Sequence, residues 1–172
     1  PEWFHAKKTK KNGELYSPIR WAFSQPYARF FAVYPNTESY SKMTIGNTET
    51  SGSPSVDFEV DSDVKNQKDF MTACTGDLDF RHALTGIRFA VGQNLSWNKT
   101  IDKVEIRNAV MKSKYTLSKD FNGTGAAWDH SADTRGTATL SDVSVSTSES
   151  PNTTIMGNAG DNFTFYMIPQ VL

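Results

Sequence analysis

Cysteine is nearly missing from this chain: Cys74 is the only one in 172 residues, so no intrachain disulfide can form. Long apolar runs are missing too. No window reaches the stretch of about 18 apolar residues that a membrane-spanning helix requires. Excess charge of either sign is absent, with 18 basic against 19 acidic side chains and a formal net charge of -1. That balance excludes the broadly basic face with which nucleic-acid binders hold phosphate backbones. Lys7 to Lys11 is the only basic cluster. No progression of charged, apolar and small residues follows Pro1, so the chain is expected to start after processing or trimming rather than with a signal peptide. Long amphipathic helical patterns are also scarce.

What is present reads as β structure. A domain of this length can bury roughly 70% of the surface of its unfolded chain, enough to fold without a disulfide or a structural metal. Ser and Thr supply 35 residues and Asn 11, a palette of strands, turns and loops. Residues 29–34 are aromatic and branched and stop at Pro35-Asn36, which predicts a strand and a turn. Residues 46–54 lack apolar periodicity and predict an exposed loop. Val56, Phe58 and Val60 alternate with Asp57 and Glu59, the pattern of a half-buried antiparallel strand.

Ser62 or Asp61 could cap a turn or two of helix carrying Val64, Gln67, Phe70, Met71 and Cys74. The longest strand signal runs from Leu78 to Val91. Leu78, Phe80, His82 and Leu84 share one parity and Ile87, Phe89 and Val91 the other, so the phase slips, and Thr85-Gly86 is the expected place. This parity predicts a His82 ring pointing into the core with a hydrogen-bond partner. Val104 and Ile106 repeat the alternation, and Tyr115 and Leu117 follow. Residues 119–137 predict a long excursion pinned by Trp128. Strand pattern resumes at 138–140 and 143–145, a polar loop covers 146–154, and Phe163 to Ile168 form a last strand ended by Pro169. About seven strands with at most one short helix predict an all-β fold, a β-sandwich rather than an α/β architecture.

Groups that could carry chemistry are few. Asp129-His130-Ser131 contains the three residue types of a catalytic triad, but a triad is assembled from separated segments, and turn residues in a solvated loop explain it better. Gly123-Thr124-Gly125 opens like a dinucleotide fingerprint, yet Trp128 stands where the third glycine belongs and no helix follows to cradle a phosphate. Asp61/Asp63 and Asp77/Asp79 could offer oxygen to calcium but do not extend into a high-affinity loop. His5, His82 and His130 show no metal-ligand spacing with one another or with Cys74. Trp3, Trp21, Trp97 and Trp128 are the candidates for a sugar-stacking platform. Five Asn-x-Ser/Thr sequons, at Asn94, Asn98, Asn122, Asn152 and Asn162, arise readily by chance in such a composition. No nucleophile, base and orienting acid can be nominated together, so no enzymatic activity and no cofactor are expected.

Several segments, in order, resemble the fimbrillin-like subunits of Bacteroidales surface pili, the type V pili. Arg29-Phe30-Phe31-Ala32-Val33-Tyr34-Pro35 resembles that family's "FfAyyP" strand. Val56 to Val60 followed by Gln67-Lys68-Asp69-Phe70-Met71-Thr72-Ala73 is similar to its "Q-x-D-L-L-x-A" segment, with Phe70 and Met71 in place of two leucines. Leu78 to Phe89 resembles the "l-x-F-x-H-A-L-x-x-I-x-F" core, the most specific of the matches. Ile101 to Ala109 resembles an "I-x-x-I-x-I-x-N" strand, and Tyr166-Met167-Ile168-Pro169-Gln170 the "f-l-I-P-Q" stretch.

The resemblance implies a transthyretin-like β-sandwich spanning residues 1–172 as the N-terminal domain of a subunit whose second, C-terminal domain is not in this chain. It places Phe31, Tyr34, Pro35, Gln67, Asp69, Phe80, His82, Ala83, Leu84, Ile87, Phe89, Ile168, Pro169 and Gln170 at the family's core positions. It further implies export as a lipoprotein, an extracellular place in a cell-surface fimbrium or at the outer membrane, and a role in cell adhesion. The expected partners are other pilus subunits, joined by strand complementation, and a host or bacterial surface ligand, with no nucleic acid and no transmembrane segment. The rival expectation is a surface β-sandwich that binds carbohydrate or another ligand without assembling.

Overall fold

The computed structural model describes residues 7–20, 30–35, 54–74, 78–92, 98–120, 122–148, 152–155 and 164–171. Among them the fold is all-β, as the composition and alternation predict, and its one helical element is a single 3-10 turn at Val64–Asn66. No helix among the described residues is long and apolar enough to cross a membrane. In chain order the strands are β1 (Phe31–Tyr34), β2 (Ser55–Glu59), β3 (Met71–Cys74), β4 (Arg81–His82), β5 (Thr85–Ile87), β6 (Thr100–Ile101), β7 (Val104–Thr116), β8 (Ala127–Leu140), β9 (Val145–Ser146) and β10 (Phe165–Met167). They form four small antiparallel sheets: β1-β3-β4, β2-β7-β8, β10-β5 and β6-β9. Of the loop predicted at 46–54, residues 46–53 lie outside the described residues, and Pro54 is buried rather than exposed.

One shared core ties the sheets together. Val56, Phe58, Val110, Tyr115 and Leu140 enter it from β2-β7-β8, Phe165 and Met167 from β10, and Phe31 and Val33 pack on its margin from β1. At its centre Phe58 stacks on Phe70 with centroids 4.7 Å apart, Phe70 meets Tyr115 edge-on at 5.4 Å, and Trp128 packs against Tyr115 at 4.8 Å. Such offset and edge contacts match the aromatic quadrupole and contribute beyond area burial.

The long hairpin of β7 and β8 explains a phase change along β7. Val104 and Ile106 point one way, whereas Ala109, Met111, Ser113 and Tyr115 are buried on the opposite parity. Between them Arg107 pairs with Thr137 and Ala109 with Gly136, so Asn108 is an extra residue, held at φ 55°. A bulge of one residue carries the apolar set across the pleat without breaking the ladder. Arg135 Nη1 donates to the displaced Asn108 carbonyl at 2.7 Å.

Four expectations need correction. The helix expected within 61–74 shrinks to the 3-10 turn, capped by Asp63 rather than by Asp61 or Ser62, because Phe70 onward joins the core and Met71–Cys74 pair as a strand. The excursion expected over 119–137 ends at Ala126, since Ala127 onward pairs with β7. The single strand expected over 78–91 is two strands in two sheets, and the break lies at Ala83-Leu84 rather than at Thr85-Gly86.

The fourth correction concerns His82, whose side chain is 72% exposed rather than in the core. Ala83 N donates to Phe70 O at 2.8 Å and Ala83 takes the buried position, so its neighbour must point outward. Phe80, of the same parity as His82, is exposed with it, while Ile87, Phe89 and Val91 turn toward the core as expected.

Candidate functional site

Two neighbourhoods gather most of the residues nominated from sequence. The first is the β1-β3-β4 sheet. Its register sets Tyr34, Met71 and His82 in one row and Val33, Thr72 and Arg81 in the next. Alternate rows face opposite sides of a sheet, so Val33 and Thr72 turn toward the core and Tyr34 and His82 toward solvent. Phe31 opens β1 opposite Cys74, and buried Pro35 follows it through a cis peptide bond. Thr72, Ala73 and Cys74 of the central strand are buried, whereas Phe31, Ala32 and Val33 of the edge strand β1 stay half-buried.

Asp69, just ahead of β3, sets a carboxylate oxygen against Nδ1 of His82 across the sheet. The Asp69 side chain is only 17% exposed, and its Oδ1 is buried without a partner among the described residues. A largely desolvated carboxylate depends on the one group it touches. The expectation that His82 has a hydrogen-bond partner therefore holds, although its ring lies at the surface.

The second neighbourhood surrounds β5 and β10. Gln67 is buried at the C-terminal end of the 3-10 turn; its Nε2 donates to Asp61 O at 2.7 Å and its Oε1 accepts from Tyr166 N at 2.8 Å. Phe89 meets Phe165 edge-on at 5.6 Å, and Arg88 Nε donates to Thr164 Oγ1 at 3.0 Å. Ile87 and Ile168 face the same core, Leu84 packs at its margin, and Pro169 is exposed. Gln170 Oε1 accepts from Val110 N at 2.8 Å, and its Nε2 donates to Ile168 O at 3.0 Å. Both glutamines thus use their carboxamides on backbone groups that no strand neighbour takes.

Between β3-β4 and the loop after β7 lies a polar cleft of about 160 Å³, lined among others by Thr72, Cys74, Arg81, Ser118 and Asp120. The single Ser118 hydroxyl proton lies within reach of the carbonyls of Thr124, at 2.6 Å, and Asp120, at 2.9 Å, while Oγ accepts from Asp120 N, so this hydroxyl folds the loop. Cys74 Sγ donates to Lys119 O at 3.3 Å. Gly123, at φ 81°, lies so close to Arg81 that an added Cβ would stand 2.9 Å from Cδ of that side chain. Sequence reading missed this cleft, though Asn122-Gly123-Thr124-Gly125 carried its signal as a run of turn formers.

The remaining nominations do not assemble into sites. His130 Nδ1 pairs with Asp133 Oδ2 at 2.8 Å, while Asp129 is held by Ser131, so the three neighbours form no relay. The Ser131 hydrogen bonds keep the Asp129 carboxyl below its ordinary pKa. Asp61 Oδ1 accepts from Asp63 N, and Asp63 takes Lys65 N and pairs with Lys65 Nζ at 3.0 Å, which occupies the acid pair offered to calcium. No cluster of three metal-ligating side chains occurs among the described residues. Trp128 Nε1 donates to Ala83 O at 3.0 Å and its ring lies within the aromatic core, which withdraws it as a sugar platform. Trp3, Trp21, Trp97, His5, Asn94, Asn162 and Asp77 lie outside the described residues, and Asn98, Asn122 and Asn152 are exposed.

No known protein family, curated protein or solved structure matches the chain.

Proposed function

We propose that this chain is a fimbrillin-like domain of a bacterial surface fimbria, a non-enzymatic structural or minor subunit with a transthyretin-like sandwich. Neighbouring subunits join it by strand donation, and the filament serves adhesion. The reading rests on the ordered sequence resemblance, and one structural observation supports it above others. Strand β1, which carries the family-like Phe31 to Pro35 segment, is an edge strand, and no strand pairs with its outer side among the described residues. Phe31 and Val33 reach the core from this edge but remain half-buried. A donated strand on that side would satisfy main-chain groups and cover these side chains in one step, main-chain bonds giving affinity and alternate side chains setting register. In this reading the protein is exported as a lipoprotein and works outside the cell.

The test has two arms. Immunogold labelling of the producing cells with antibody against the chain should decorate surface filaments; label confined to the cytoplasm, or a surface protein that stays monomeric, overturns the proposal. Ala32→Pro and Val33→Pro form the second arm. Successive amides of a strand point to opposite sides, so one of the two prolines removes a donor facing β3 and the other a donor facing the incoming strand. One variant should therefore fold with wild-type circular dichroism yet fail to enter filaments. Two variants that both assemble normally would remove β1 as the receiving edge.

A further inference from the structure

The one basic cluster in the chain is concentrated on a single exposed segment. Residues 7–20 hold Lys7, Lys8, Lys10, Lys11 and Arg20 against Glu14 alone, a net charge of +4, and the whole chain is -1, which leaves -5 for everything else. Thr9 bridges Leu15 in antiparallel fashion, Lys10 N donates to Glu14 O at 2.7 Å, and Gly13 turns the chain at φ 87°. The result is a hairpin with its lysines exposed and Leu15 half-buried. Glu14 pairs with Lys10 at 3.2 Å, while Lys7, Lys8 and Lys11 have no acidic partner among the described residues.

Beside the lysines stands Tyr16, 69% exposed, whose amide donates to Lys8 O at 3.5 Å. Cross-strand alternation puts Lys8, Lys10, Glu14 and Tyr16 on one face of the hairpin. A tyrosine presented with lysines has the composition of a membrane-interface contact, the ring entering the headgroup layer while ammonium groups meet phosphate.

We propose that this hairpin is a docking finger for an anionic phospholipid surface. The shape of the charge distribution selects that partner over a nucleic acid. A polynucleotide follows an extended track of basic charge and would meet a remainder that carries a net -5, whereas a planar surface can be met by one compact, exposed basic patch. The hairpin shares no residue with strand β1, so vesicle binding and filament assembly are tested by separate variants.

Sedimentation of the full chain with vesicles provides the test. Binding is expected to vesicles of phosphatidylcholine containing phosphatidylglycerol, and none to phosphatidylcholine alone. It should disappear toward 1 M salt, where the screening length falls to about 3 Å. Each lysine removed should weaken partitioning roughly fivefold, following the energy of one basic residue near such a surface. Glu14→Gln should strengthen it by freeing Lys10, and Tyr16→Ser should weaken it without changing the salt dependence. The fourfold variant K7A/K8A/K10A/K11A should keep the wild-type circular dichroism spectrum, because its side chains are exposed, and lose binding. Equal sedimentation of wild type and the fourfold variant overturns the proposal. So does a chain that binds soluble single-stranded DNA at physiological salt but not the anionic vesicles.

Discussion

Gln170 completes the β7 bulge from the far end of the described chain: its Oε1 accepts the amide hydrogen of Val110 at 2.8 Å, 60 positions away in sequence. Val110 is 1% exposed, and the register beside it shifts between Val110 and Lys112, so the ladder with β8 offers this amide no regular partner. Replacing Gln170 by Leu strands a buried donor, which typically costs about 1–3 kcal/mol. For a chain of this length that is a fall in melting temperature of roughly 2–12 °C. Gln170→Glu keeps the acceptor for Val110 N but turns the Nε2 donor into a carboxylate oxygen facing Ile168 O, so it should recover only part of the loss at neutral pH and more of it where the carboxyl is protonated. Calorimetry on the three proteins checks the order; a leucine variant as stable as wild type would show that the Val110 amide is otherwise satisfied.

The loop after β7 allows a contact to be separated from backbone strain. Gly123 and Gly125 sit at φ 81° and 82°, so an alanine at either meets the same left-handed penalty of about 1–2 kcal/mol. Only at Gly123 does the new Cβ also meet the Arg81 side chain, at 2.9 Å, whereas at Gly125 nothing lies within 4 Å. Gly123→Ala should therefore destabilise more than Gly125→Ala in urea unfolding, and Arg81→Ala should shrink the difference. Equal losses at both glycines would mean that Arg81 moves aside freely.

The alternation of Val56, Phe58 and Val60 and the final strand near Phe165 were legible because each keeps one face buried, whereas the strand expected at 29–34 was legible from its run of aromatic and branched residues, of which Phe31–Val33 are half-buried and Tyr34 is exposed. Residues 78–91 were harder to read. A chain that leaves one sheet at His82 and joins another at Thr85 carries two independent alternations, and single-sequence parity cannot say which residue belongs to which. His82 was misplaced for that reason. The resemblance singled out Gln67 and Gln170, but their roles depend on partners 99 and 60 positions away, which no local pattern encodes. The loop was legible within the excursion expected over 119–137, but the cleft beside it was not, because its Ser and Asn side chains bond to their own backbone, the ordinary habit of these residues in any turn.

Acid should loosen the turn that positions Gln67. Asp63 caps it by accepting from Lys65 N, and the hydrogen-bonded Lys65 ammonium lowers the Asp63 pKa below its usual 3.8. A carboxyl whose folded pKa is depressed contributes stability that is fully present above the unfolded pKa and is lost as pH falls through the folded one. The window for this group therefore lies below about pH 4. Asp63→Asn retains a capping oxygen but not the charge. It should be slightly less stable than wild type at neutral pH, within the 0–1 kcal/mol typical of an exposed pair, and the gap should close on acidification. A gap that widens toward low pH would contradict the sign.

Asp69 and His82 pose the sharper question, because a largely buried carboxylate faces an exposed imidazole. His82→Ala removes the one side-chain partner that the Asp69 carboxylate has among the described residues while leaving Asp69 in place, its other oxygen already without a partner there. That loss should cost about 1–3 kcal/mol, more than truncating a surface histidine ordinarily does. Asp69→Ala takes away the buried charge itself and should be better tolerated. Once it is gone, His82→Ala should have almost no further effect. The double-mutant cycle thus predicts a coupling of about 1 kcal/mol or more, measured by chemical denaturation at pH 7. If the two single losses simply add, the pair does not hold β4 to β3, and the backbone bond from Ala83 N to Phe70 O is left to fix that edge of the sheet.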